Sequence, residues 1–138
     1  MFVVVVGCGR VGSAVAKNLI DEGHDVNVID ENAEAFGRLG NDFPGSLIQG
    51  QALEISVLER AGLQNADAFV AATNGDNTNI VVAQIAQRRF NVPKVVVRVL
   101  DPNRGRFYAA RGLTIVCPTD IAVGLIGDAF RTDDEKDA

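Results

Sequence analysis

A glycine-rich turn set between two apolar runs constrains this chain more than any other feature. Phe2-Val3-Val4-Val5-Val6 runs straight into Gly7-Cys8-Gly9-Arg10-Val11-Gly12, and a second apolar run closes on Val28-Ile29-Asp30. Strand, G-x-G-x-x-G turn, amphipathic stretch, strand and terminal carboxylate make one βαβ unit shaped to hold a nucleotide diphosphate. Gly7 permits the tight turn, Gly9 lets the backbone approach the phosphates, and Gly12 lets the helix pack on the sheet. The phosphates then meet a helix N-terminus, where unpaired N–H groups and the macrodipole favour an anion. Asp30 is placed to accept hydrogen bonds from ribose hydroxyls. A 2′-phosphate would be repelled by Asp30 and Glu31, so the site suits NAD or another unphosphorylated adenosine ribose rather than NADP.

The rest of the chain is compatible with such a fold. Its 138 residues, 47% hydrophobic and 22% charged, suit one soluble domain that buries a core without disulfides or metal. A net charge of −5 argues against a nucleic-acid partner, which calls for a clustered basic surface. Arg88-Arg89, Arg104, Arg106 and Arg111 are scattered and suit solvated helix faces. No apolar run approaches the ~18 residues of a membrane span, and the N-terminal valines are too few for a signal-peptide core, which points to the cytoplasm without direct membrane insertion. Cys8 and Cys117 fall at the ends of the first and sixth strands, about 14 Å apart at ~4.8 Å per strand step in the order 3-2-1-4-5-6. That separation forbids a disulfide, so both are expected to be buried, inert thiols. No C-x-x-C or Cys/His spacing supports a metal site.

Strand and helix signals alternate almost to the end, which predicts a doubly wound, Rossmann-like α/β fold: a parallel sheet with helices on both faces. Strands are expected at 2–6, 25–30, 46–49, 68–71, 94–99 and 114–116, and helices at 11–22, 33–40, 53–61, 77–90, 104–111 and 120–131. Gly23 and Gly62 have the position of C-terminal helix caps, while Pro93 and Pro118 punctuate the following segments. Residues 1–131 form the domain; 132–138, charged and without apolar anchors, are expected to be a disordered tail. Two helices are apolar on many sides. The one containing Ile80-Val81-Val82-Ala83 should be deeply buried or shared with a neighbour. In the last, Ile121, Val123, Leu125, Ile126 and Phe130 cannot all face one core, and Gly124 and Gly127 each cost about 1 kcal/mol relative to alanine. That pattern predicts a subunit interface, with core packing as the alternative.

In a doubly wound sheet the ligand lies at the strands' carboxyl ends, between the first and fourth strands. Thr73-Asn74-Gly75-Asp76-Asn77 follows the fourth strand there. Its polar side chains fit helix capping by Asn74 or Asp76, alone or together with ligand contact. Gly50-Gln51-Ala52 follows the third strand and Arg98 ends the fifth, where it could meet phosphate or an acidic neighbour such as Asp101. His24, the only histidine, lies at the opposite edge of the sheet, out of reach of any reacting group. Tyr108, the only tyrosine, lacks a partner lysine nearby and is expected to pack.

Taken together, Gly7-x-Gly9-Arg10-x-Gly12, Val28-Ile29-Asp30, Gly50 with Leu58-x-x-Ala61-Gly62, Ala66-Asp67-Ala68, Thr73-Asn74-Gly75-Asp76-Asn77-x-Asn79-Ile80 and Arg98-Val99-x-Asp101-Pro102 resemble the N-terminal RCK domain (regulator of potassium conductance, also called TrkA-N or KTN) over nearly the whole chain. The resemblance implies a Rossmann-like domain that binds NAD(H) or ATP/ADP, forms homodimers or larger rings, and regulates a membrane potassium transporter without catalysing a reaction. It implies phosphates at Gly7, Cys8, Gly9, Arg10 and Val11, ribose at Asp30, the middle of the nucleotide at Thr73-Asn74 and its edge at Arg98. It also makes Arg10 the candidate sensor of a terminal phosphate. Many relatives have Gly-Asp where this chain has Gly50-Gln51, which removes a carboxylate near the adenosine. Such proteins usually carry a further C-terminal ligand domain. A chain starting at its first strand and stopping at Ala138 is therefore expected to be a separate subunit, minimal or cut short, peripheral to the membrane through its transporter.

Two other function classes fit the same fold. One is the NAD-binding domain of a dehydrogenase, against which stands the lack of a His, Cys or Tyr/Lys set placed for hydride chemistry. The other is a dimerisation module with a vestigial site. Reversible adenine-nucleotide binding separates a sensor from the latter.

Overall fold

A computed structural model describes residues 1–131. The expectation for 132–138 lies outside the described residues. Six strands, β1 (Phe2–Val6), β2 (Asp25–Asp30), β3 (Leu47–Gln49), β4 (Ala68–Ala71), β5 (Lys94–Arg98) and β6 (Thr114–Val116), form one sheet in the order β3-β2-β1-β4-β5-β6. All neighbours are parallel. The register pairs Val6 with both Ile29 and Ala71, Ile29 with Ile48, and Ala71 with Val97, so the strands end nearly level and their loops share one edge. Burial on both faces explains why the strands are apolar runs rather than alternations. Val4 and Val6 belong to one core with Phe69, Leu58 and Ile80, while Val3 and Val5 belong to the other with Val28 and Ala16.

Helix α1 (Arg10–Asp21) and a 3-10 segment (Ala33–Leu39) supply the second core; α2 (Ile55–Arg60), a 3-10 turn (Leu63–Asn65) and α3 (Asp76–Arg88) supply the first. The expected helix at 33–40 is thus a 3-10 segment. Asn32 caps its start, and Gly37 and Gly40, the latter at φ 83°, deprive it of the propensity to continue. The expected helix at 53–61 begins only at Ile55. Pro102 and Pro118 open α4 (Pro102–Ala109) and α5 (Pro118–Ala129), because a first-turn residue needs no amide partner and proline's φ is already helical. Gly23 and Gly62 take the positive φ of caps.

Helix α3 is buried along Ile80, Val82, Ala83 and Ala86, leaving Val81 exposed. Helix α5 has no buried residue: Val123 is 65% and Leu125 64% exposed, and Phe130, which follows its last turn, is 85% exposed. Core packing against the described residues, the alternative for this helix, does not occur. No described helix is long and apolar enough to cross a membrane.

Candidate nucleotide site

The level strand ends enclose a cleft of about 500 Å³, within the range of about 300–1,000 Å³ usual for small-molecule sites. Val6, Ile29 and Ala72 line it from the sheet; Gly7 and Gly9 come from the glycine turn, and Thr73, Asn74, Gly75 and Thr78 from the turn before α3. Asp30, Glu31, Asn32, Ala35 and Arg38 line it from the end of β2 and the segment after it, and Gly50, Gln51, Ala52 and Leu53 from the loop after β3.

Sterics alone require Gly7 and Gly12 at the turn. Gly7 has φ 100°, and a Cβ there would lie 2.8 Å from the Ala72 carbonyl. At Gly12 a Cβ would collide with the Gly7 carbonyl oxygen, so any larger residue would push α1 off the turn. The Cβ position of Gly9 is open, consistent with space left for a ligand. The first intrahelical bond of α1 runs from Ser13 N to Gly9 O and no side chain caps the helix, so the amides of Arg10, Val11 and Gly12 lack intrahelical acceptors. At α3 the same holds: Asn79 N bonds Gly75 O and no side chain caps the helix. Two uncapped helix N-termini, each preceded by a cleft-lining glycine, therefore converge on one cavity and favour an anion there.

Asp30 is fixed by the backbone. Its Oδ2 accepts from Cys8 N at 2.7 Å and its Oδ1 from Asn32 N at 2.8 Å, so the carboxylate ties the glycine turn to the end of β2 while bordering the cleft. Each oxygen keeps a lone pair for a hydroxyl donor. Cys8 is buried, and its thiol donates to the Ala35 carbonyl at 3.4 Å. Burial, then the Asp30 charge, raises its pKa above the ordinary value of 9.0, against lowering by Arg38 and Lys17. Cys117, expected to be buried, is half-buried at the start of α5.

Of the other expected site residues, Gly12 supports the turn, and Arg10 and Val11 stand exposed on the first turn of α1; Cys8, Arg10, Val11, Gly12 and Arg98 do not line the cleft. The Arg98 Nη1 donates to the Thr73 carbonyl and to Asn74 Oδ1, both at 3.2 Å, behind the loop. It forms no ion pair with Asp101, which instead caps α4 through Asn103 N at 3.0 Å. The expectation that Asn74 or Asp76 caps α3 is also corrected. Gly75 holds the cap position, because the Asp76 carboxylate is drawn away to accept from Leu100 N at 2.7 Å and Asp101 N at 3.0 Å.

Asn79, one of the short hydrogen-bonding side chains that the sequence places after β4 beside the glycine turn, organises this wall. Though 1% exposed, its Oδ1 accepts from Thr73 N at 3.0 Å and Thr73 Oγ1 at 2.6 Å, and its Nδ2 donates to the carbonyls of Thr73 at 3.0 Å and Arg98 at 2.9 Å. A polar residue on the buried stripe of an apolar helix was the available signal. His24 sits at the opposite edge, its Nδ1 2.9 Å from the N-terminal amine. Tyr108 packs half-buried, edge-to-face with Phe107 at 4.9 Å between ring centres. Arg104 bonds Asn77, Arg106 pairs with Asp120 at 3.4 Å, and Arg111 lies over the Phe107 ring.

A parallel sheet in this order, with a glycine turn, a β2 carboxylate and paired helix N-termini at its switch point, defines a Rossmann-like protein of the nucleotide-binding type. Comparison with known proteins agrees. The profile of the TrkA-N domain matches residues 3–118, and the chain belongs to that family. It is 42% identical over 116 residues to the Trk system potassium uptake protein TrkA of Streptomyces coelicolor, covering 84% of this chain and 52% of that protein. It is similar in fold to the AMP-bound C-terminal domain of Kef from Shewanella denitrificans (TM-score 0.78, 24% identity, 91% of this chain, 77% of that one). The GsuK channel bound to NAD is similar too (TM-score 0.78, 21% identity, 92% of this chain, 22% of that one). The chain thus spans about half the length of the TrkA protein it matches.

Proposed function

We propose that this chain is a non-catalytic sensor that binds NAD(H) or, alternatively, ATP/ADP and thereby regulates a membrane potassium uptake system. The observation that carries the reading is the convergence, in one 500 Å³ cleft, of the glycine turn, two uncapped helix N-termini and Asp30. Diphosphate would lie on the amides of residues 9–12, with Cys8 holding Asp30 in place and Gly7 and Gly12 shaping the turn. The ribose would lie at Asp30 and Glu31, the adenosine near Gln51 and Ala52, and the middle of the ligand at Thr73 and Asn74, braced by Arg98. Arg10 would meet a terminal phosphate. The titratable side chains lining the cleft, Asp30, Glu31 and Arg38, all stand at its β2 end, which favours binding over proton or hydride chemistry. Family membership and the Streptomyces relative support the potassium-uptake setting.

The working unit is a homodimer, or a ring of dimers, joined through α5, located in the cytoplasm and peripheral to the membrane through the transporter. A nucleotide regulates a transporter only by favouring one of two arrangements of something larger than its own pocket, and the unburied α5 supplies that element. Residues 1–131 form the nucleotide unit. Calorimetric titration with NADH, NAD, ATP and ADP is the test: saturable binding of at least one is expected, and no heat from any of the four at millimolar concentration would overturn the reading.

A further inference from the structure

One side chain of the cleft has no part in holding phosphate or ribose. Arg38 stands on the last turn of the 3-10 segment, whose backbone is anchored at both ends. Asn32 Oδ1 accepts from Glu34 N at 3.1 Å, Ala35 and Leu39 are buried, and Lys17 Nζ donates to the Arg38 carbonyl at 3.1 Å. The guanidinium borders the cleft, yet among the described residues it has no hydrogen-bond acceptor and no ion-pair partner. It is a planar cation on a fastened base.

The segment after β3, which packs into the other core of the sheet from Ala35 and Leu39, lines the cleft with neutral residues. Leu53 is 47% exposed there, a large apolar side chain that the core does not absorb, with Ala52 beside it. The Gln51 amide makes no hydrogen bond among the described residues, and so is available to the edge of a ligand. A flat cation on one side, an apolar side chain on the other and a spare amide at the edge together match a heteroaromatic base. They do not match a phosphate, which Asp30 and Glu31 on the same border would repel.

We propose that Arg38 is the base-recognition residue of this cleft, its guanidinium stacking on one face of a purine whose other face lies on Leu53 and Ala52. The inference rests on the nucleotide reading above and deepens it. Arginine suits the task because its guanidinium is weakly hydrated and stacks through its plane, whereas a lysine ammonium is a hydrated point charge.

The experiment titrates the wild-type chain, Arg38→Ala, Arg38→Lys and Leu53→Ala with ADP and with NADP, and records a thermal melt of each. ADP affinity is expected to fall about tenfold in Arg38→Ala, to stay low in Arg38→Lys, and to fall in Leu53→Ala. The Arg38 variants should melt with the wild type, since the guanidinium bonds nothing within the chain. Unchanged ADP affinity in Arg38→Ala overturns the inference, as does full rescue by lysine or a loss confined to NADP, which would assign Arg38 to a phosphate. A wild-type chain that binds none of ADP, ATP, NAD and NADH overturns the nucleotide reading itself, an outcome distinct from all of these, and one that binds another of the four but not ADP overturns the stacking role of Arg38.

Discussion

Asp30 shows how one carboxylate serves two purposes. It holds the amides of Cys8 and Asn32 while bordering the cleft. Asp30→Ala is expected to weaken adenine-nucleotide binding by about 1–3 kcal/mol, as for other lost charge-assisted hydrogen bonds. Calorimetry checks this, and undiminished affinity would remove the ribose assignment. Arg10→Ala should weaken ATP more than NAD, because only ATP presents a terminal phosphate while the diphosphate keeps its amides; equal losses would count against phosphate sensing. At Cys8, burial raises the thiol pKa, so the folded chain keeps its proton after the unfolded chain releases it. Stability therefore holds below the ordinary pKa of 9.0 and falls as pH rises from there toward the folded value. Urea melts at stepped alkaline pH should show that decline weaken in Cys8→Ala. Asp30 and the glycines were legible because their spacing is a backbone property. Arg38 was not, since its access to the cleft depends on the course of the long connection between β2 and β3 that no local periodicity encodes.

Among the elements, α5 has the clearest mismatch between chemistry and surroundings. Ile121, Val123, Leu125, Ile126 and Phe130 are all exposed, an apolar surface of the kind that marks an interface. The replacement of both Leu125 and Ile126 by Asp should turn a dimer into a monomer, since each charge would be buried without a partner. Light scattering at micromolar concentration checks both forms, and a wild-type monomer would remove this interface. The ends of α3, α4 and α5 shifted by about two residues from the sequence expectation. Helix initiation depends on Pro102, Pro118 and Gly75, whereas the sequence signals place both prolines just outside their helices. The polar residues after β4 could be placed at the switch point from sequence. Their partners could not, because Asp76 bonds residues 24 and 25 positions away.

For the molecule as a whole, the cleft and α5 share a framework. Asn79 joins Thr73 to Arg98, Asp76 holds the amides of Leu100 and Asp101, and Thr119 Oγ1 on α5 donates to the Leu100 carbonyl at 2.6 Å. Asn79→Ala should destabilise the fold by about 1–3 kcal/mol by leaving buried groups unpaired. Denaturant melts measure it, and a loss below 0.5 kcal/mol, taken as about the scatter of surface substitutions, would deny Asn79 this role. The sequence by itself determined the parallel sheet, its strand order and the place of the glycine turn. Those follow from apolar runs, glycine sterics and the handed connection of successive strands, which are local or topological properties. Only the tertiary structure decided that Arg98 braces a loop, that the Asp76 carboxylate binds another turn instead of its own helix, that Arg38 borders the cleft and that the described residues bury none of α5. Each of these depends on which distant groups compete for the same hydrogen bond or surface, and that competition exists only once the chain has closed on itself.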